Sequence, residues 1–210
     1  MLVEEKKDFL SMSVRDFVAA VAAKTPTPGG GSVAGVVGAL GTALGEMSLN
    51  FTQGKKKFAQ FESIYSHLGP RLLRARHMFM QLVADDMSAY SLYREATALG
   101  EGQDKDQALQ LALSAAINVP REMTKLALAL LEDLKSLADK CNSYLLSDLT
   151  AAAALAAATV QLCHYNVRVN VPQLTDSEAA NDLLAGSLAD LQNAQALQVA
   201  IEQLADGEMA

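Results

Sequence analysis

The chain has 210 residues, half of them hydrophobic and 20% charged, which suits a single folded unit with a substantial core. A net charge of −7 argues against nucleic acid as a general partner, and the absence of Trp with few other aromatics argues against a β-sandwich. The opening MLVEEKKDFL has neither an apolar run nor a cleavage site. The most apolar segment, 149–163, is shorter than the ~20 residues that span a bilayer. The expectation is a cytoplasmic protein with no membrane partner. Cys141 and Cys163 lie in apolar helical stretches without a CxxC or Cys/His cluster and read as buried free thiols.

Apolar residues recur every three or four positions and no strand pattern is present, so the fold class is all-α. Ser13, with Asp16 three residues on, starts a first helix that runs to about Lys24. The prolines of 25-TPTP-28 then forbid helix. Ser32 is placed to cap a second helix reaching about Thr52. A third helical region covers about 58–99, with Gly69-Pro70 as a break or kink and Gly100 and Gly102 as its end. A fourth helix spans about 104–118, and a fifth runs from Pro120 to about Cys141. Ser147 caps a sixth that ends near Asn170. Thr175 and Glu178 form a capping box for the seventh, which reaches about Leu204 before a frayed tail, 206–210. About seven helices with short joints form a multihelical bundle.

The tract 25-TPTPGGGSVAG-35 resembles a phosphate loop only superficially. A P-loop needs a Gly-Lys-Ser/Thr end after a strand. The sole Gly-Lys pair, Gly54-Lys55, has Leu49 where the first glycine belongs and Lys56 after it. A dinucleotide fingerprint would need a preceding strand, and a helix precedes here. The glycines permit a tight turn, and the amides of a helix start favour an anion or a heterocycle oxygen. Beyond the turn, Gly31, Gly35, Gly38, Gly41 and Gly45 form one stripe. Each costs roughly 1 kcal/mol relative to alanine, so close helix packing or a ligand's flat face must compensate.

Five motifs in register, TPTPGGGSVAG, 50-NFTQGKKKF-58, 85-DDMSAY-90, 141-CNSYLLSD-148 and 166-NVRVN-170, resemble the cyclodeaminase/cyclohydrolase family of folate enzymes. The resemblance covers nearly the whole chain. It departs at Cys141, where the family tends to have glycine, and at 94-REATALGEG-102, which lacks a common Leu-Pro. It implies a homodimeric all-α enzyme that acts on one-carbon tetrahydrofolates, with no cofactor beyond that substrate. A cyclodeaminase closes 5-formiminotetrahydrofolate to 5,10-methenyltetrahydrofolate and releases ammonia. A cyclohydrolase opens the methenyl ring with water. No transferase domain fits in 210 residues, so one domain, 1–210, is expected. A non-catalytic folate-binding or assembly bundle is the alternative.

Both reactions need a carboxylate near the bridging carbon and a proton donor for the departing nitrogen, and neither needs a metal. Asp86 is the candidate acid/base. On a helix it shares a face with Tyr90 and Tyr93, where partial desolvation would raise its pKa toward neutrality. A salt-bridged surface acid is the plain alternative. The substrate-binding candidates in the glycine tract are Pro28, Gly29, Gly30, Gly31 and Ser32. Asn50, Lys55 and Lys56 follow, with Lys57 beside them; these lysines either form a solvated face or hold the glutamate tail of a folate. Asn142 and Asp148 serve ligand or helix junction, while Asn166 and Asn170 either hydrogen-bond the pterin or cap their helix. Asp148 and Asn166 share an azimuth but lie roughly 27 Å apart along a helix, so they serve two ends of an extended ligand, two subunits, or packing. His67, His77 and His164 have no metal spacing.

Overall fold

The computed structural model describes residues 9–209; residues 1–8, on which the reading of the N-terminus falls, and Ala210 lie outside it. Among the described residues there is no strand, and six α-helices carry the fold. They are α1 (Val14–Ala22), α2 (Gly30–Asn50), α3 (Glu62–Thr97), α4 (Gln103–Ala138), α5 (Leu146–Asn170) and α6 (Ser177–Met209). Short 3-10 turns at Phe9–Ser11, Lys56–Phe61, Ser143–Leu145 and Val171–Gln173 accompany them. The all-α expectation holds.

The helix boundaries follow local chemistry with instructive exceptions. Ser13 caps α1, its side chain accepting from the Asp16 amide at 3.1 Å. Asp176, one residue beyond the expected Thr175, caps α6, because its charged Oδ1 accepts from the amides of both Glu178 and Ala179. Ser147 does not cap α5. That helix begins at Leu146, after a 3-10 turn whose cap is Asn142. Pro70 and Pro120 sit inside continuous helices, so the expected fourth and fifth helices are the single helix α4. Each proline removes one donor, but Leu68 and Leu72 around Pro70, and Ile117 and Met123 around Pro120, are buried and hold the axis through the gap. The expected frayed tail is helical to Met209, with Ile201 and Ala205 buried on the inner side of its last turns.

α2 packs between α3 and α5, α4 lies against both α3 and α5, and α6 covers α5 and α4. The glycine stripe sets the α2–α3 distance. A Cβ at Gly35 would lie 2.5 Å from Val83 Cγ2, and one at Gly38 would lie 2.5 Å from the Phe79 ring. At Gly45 it would meet Leu134 of α4 at 2.7 Å. The stripe is therefore a packing surface, on which the two antiparallel helices approach more closely than alanine would allow. The segments Gly30–Asn50 and Ser143–Gln173 are long and apolar enough to cross a membrane by length and composition. The run 149–163 is shorter, but its helix extends it at both ends. Only 50% and 44% of the two segments' apolar windows are buried within the chain.

Gly38→Ala is expected to lower unfolding free energy by about 1–3 kcal/mol through overpacking against Phe79. Gly186→Ala, in α6 with open space around it, should raise stability by up to about 1 kcal/mol. Denaturant melts of the two variants check both signs.

Candidate active site

At the N-terminal end of α2 the chain leaves the TPTP segment in extended geometry, and Gly29 takes the N-cap position without a side-chain cap. The helix starts at Gly30, two residues before the expected Ser32 cap. Its first backbone bond runs from Val33 N to Gly29 O (3.0 Å). The amides just before it thus point out of the helix without an intrahelical acceptor. Asp86, from the facing helix α3, supplies the missing anion. The fully buried Ser32 donates its hydroxyl to Asp86 Oδ2 at 2.8 Å, and the Ser32 backbone bonds the same carboxylate. The carboxylate sits so close that a Cβ at Gly31 would lie 1.9 Å from Asp86 Oδ1. The turn's affinity for an anion is satisfied from within the chain.

Above this pair opens a cleft of about 540 Å³. Gly29, Gly30, Gly31, Asp86, Tyr90, Asn166 and Asn170 all line it, so seven of the residues expected from sequence converge. Ser32 reaches it through Asp86; Pro28 is buried and does not line it. Asn166 donates Nδ2 to Leu162 O (2.9 Å), which leaves its carbonyl oxygen free to accept. Asn170 donates to Ala116 O (3.3 Å) and ties the end of α5 to the α4 wall. Tyr93, Gln110 and Gln173 also face the cleft. Sequence reasoning passed over the α4 wall, including Leu109, Ala112, Leu113, Ala116 and Pro120, because its helical spacing is that of ordinary core. The cleft lining includes no lysine or arginine.

The remaining candidates gather elsewhere. Asn50, Lys55 and Lys56 are exposed around the C-terminal end of α2. That helix has 21 residues, so they lie about 30 Å from the turn at its start. Asn142 is buried there, donating Nδ2 to Phe51 O (3.4 Å) while its amide donates to Thr52 Oγ1 (3.0 Å). Asp148, half-buried in the first turn of α5, and Lys55 both act on the Cys141 thiol electrostatically. One chain therefore carries two separated groups of motif residues.

Burial raises the Asp86 carboxyl above the ordinary carboxylate range, and the two bonds from Ser32 only partly offset it. An acid in this state can hold a proton and surrender it nearer neutrality than a solvated one. Burial likewise pushes the Cys163 thiol up to about 12 and raises Cys141, so neither is a ready nucleophile. Among the described residues no three His, Cys, Asp or Glu side chains assemble into a metal-binding group.

These features define a class: an all-helical protein whose cleft gathers one desolvated acid, carboxamides and phenols on its walls. The chain matches the formiminotransferase-cyclodeaminase family model over residues 13–187. It is 32% identical over 197 residues to formimidoyltransferase-cyclodeaminase of Dictyostelium discoideum, covering 93% of this chain and 37% of that protein. It is 30% identical over 177 residues to methenyltetrahydrofolate cyclohydrolase of Methylorubrum extorquens, covering 82% and 85%. The crystal structure of formiminotetrahydrofolate cyclodeaminase from Thermotoga maritima superposes with a TM-score of 0.84 at 29% identity, over 96% of this chain and 99% of that one. The chain belongs to the formiminotransferase-cyclodeaminase family. It spans about a third of the length of the Dictyostelium relative and of the Gallus gallus relative, 37% and 33%.

Asp86→Asn keeps the shape and an acceptor for Ser32 but removes the ionisable proton. An acid whose folded pKa is raised adds stability below its unfolded pKa and loses it as pH rises through the folded value. At neutral pH the ionised form is a cost, and Asp86→Asn should melt at or above the wild-type temperature. Thermal melts at pH 4 and pH 7 test this: the variant's advantage should shrink at the lower pH.

Proposed function

We propose that the protein is a folate one-carbon enzyme, a formimidoyltetrahydrofolate cyclodeaminase or methenyltetrahydrofolate cyclohydrolase, with Asp86 as its metal-free proton carrier. The observation that carries this reading is the Asp86 carboxyl, raised by burial yet fixed by Ser32 on the cleft surface beside the Gly29–Gly31 turn. In ring closure, N10 attacks the formimino carbon at N5. The carboxylate takes the N10 proton and hands it to the departing nitrogen, which leaves as ammonia once a second proton arrives from solvent. In ring opening, the carboxylate takes one proton from the water that attacks the bridging carbon and delivers it to N5 as the C–N5 bond breaks, while the water's second proton leaves to solvent as the formyl C=O forms. The carboxamides of Asn166, Gln110 and Gln173 suit the alternating donors and acceptors of a pterin edge.

We also infer a homodimer that completes the site. α2 and α5 run antiparallel: Gly30 lies beside Asn166, while Phe51 lies beside Asn142. Their outer side leaves Leu40, Phe51, Tyr165 and Val169 exposed. A two-fold axis across this pair would cover that apolar face. It would also bring the Lys55–Lys57 end of one copy to the cleft of its partner, where no cation is supplied locally. The lysines would then hold the carboxylates of the folate tail, contributing to affinity more than to rate. This reading places the exposed halves of two apolar helices against protein rather than lipid, in a cytoplasmic protein without a nucleic-acid partner.

Supplying 5-formiminotetrahydrofolate should make methenyl absorbance rise, or supplying 5,10-methenyltetrahydrofolate should make it fall, faster than the spontaneous rate. Binding by calorimetry with neither change would favour the non-catalytic folate-binding bundle. Mixing Asp86→Asn protein with a Lys55→Ala/Lys56→Ala variant should regain about a quarter of wild-type turnover at low substrate, since random exchange gives every second dimer one intact site. Simple averaging of the two parents' activities would sink the shared site.

A further inference from the structure

Ser32 occurs in the glycine motif as a candidate ligand contact, yet its side chain faces Asp86 and is fully buried. Its place in the third residue of α2 makes it unnecessary as a cap, because Gly29 holds that position. Other buried hydroxyls on the same helix behave differently. Thr42 donates to Gly38 O, and Ser48 donates to Leu44 O, each one turn back along the helix itself. Ser32 instead crosses to the acid of another helix.

The hydroxyl makes the two carboxylate oxygens inequivalent. Oδ2 accepts the Ser32 proton at 2.8 Å, and a second proton placed on that oxygen would compete with this bond. We propose that Ser32 is a positioning residue: with its hydroxyl on Oδ2 and its backbone on the same carboxylate it fixes the Asp86 carboxyl against the Gly31 backbone and so orients the group that carries the transferred proton. The inference rests on the reading of Asp86 as proton carrier. The other groups around the carboxyl do not replace this hold. α5 presents the Cys163 thiol, which feels the Asp86 charge, and the neutral Asn166. α3 itself presents Tyr90 and Tyr93, and α4 presents Gln110. No lysine or arginine lines the cleft to take over the stabilisation of the anion.

The test compares Ser32→Ala with Thr42→Val, which removes a buried hydroxyl from the same helix without touching the acid. Carboxyl carbon NMR of the full protein, with the Asp86 signal assigned by its loss in Asp86→Asn, follows the titration without any substrate. Ser32→Ala should move the Asp86 titration to higher pH than in wild type, whereas Thr42→Val should leave it in place. With methenyltetrahydrofolate or formiminotetrahydrofolate, Ser32→Ala should lose roughly tenfold or more in kcat with little change in KM, and the acid limb of its pH profile should move up. An unmoved or lowered titration overturns the inference. So does a Ser32→Ala protein that fails to fold while Thr42→Val folds, since the hydroxyl would then serve stability alone. Absence of folate turnover in wild type would defeat the enzymatic reading instead, and the titration would still decide whether Ser32 holds the acid.

Discussion

The structure depends on how closely α2 can approach α3. Glycines at 31, 35 and 38 remove the side chains that would keep the helices apart, and Asp86, Val83 and Phe79 occupy the space in that order along the antiparallel partner. The five glycines of the stripe cost on the order of 5 kcal/mol in propensity. That cost is offset by burial of the Val83, Phe79, Leu134 and Leu72 side chains against a flat backbone surface. The same closeness that packs the core at Gly35 and Gly38 becomes, one turn earlier, the geometry that seats a carboxylate on a helix start. Site and core are successive contacts of one helix pair.

Much of this was legible in the sequence because it is written in local patterns. The stripe, the helical periodicity and the convergence of the glycine turn with Asp86, Tyr90, Asn166 and Asn170 follow from spacing and from the motifs. What was not legible depends on partners distant in the chain. Ser32 looked like a cap because the usual capping residue before a helix is Ser, and nothing local reveals that Asp86, 54 residues away, serves the turn instead. Pro70 and Pro120 looked like boundaries because a proline's local cost is visible, whereas the buried leucines and Met123 that hold the helix through it are known only after packing. The α4 wall was invisible for the opposite reason: an apolar stripe facing a cleft has the same period as one facing a core.

The placement of the motifs along α2 has a geometric consequence. An antiparallel helix pair puts the start of one beside the end of the other, so residues near Gly30 meet Asn166 while residues near Asn50 meet Asn142. Motifs that meet at one ligand within a single chain would have to lie at the same end. Here they lie at both, separated by a length of about 30 Å. A tetrahydrofolate with its tail is extended, but the intervening face is apolar helix rather than a channel lined with polar groups. The proposed dyad through the middle of the pair would bring the two groups together without moving a residue, because it would exchange the two ends.

Asp86 could be regarded as a helix cap that happens to border a cleft, and the direction of its pKa shift bears on the choice between that view and the proposed catalytic one. A carboxylate that serves only as a cap is solvated and stabilised by the amides it accepts from, which holds its pKa down. Asp86 accepts comparable bonds, from the hydroxyl and backbone of Ser32, and its pKa is nevertheless raised. Burial therefore outweighs capping, and the native state bears a cost at neutral pH that an asparagine in the same place would avoid. Asparagine is as good a cap as aspartate. What it cannot do is exchange a proton, and that is the ability the proposed function asks of this position.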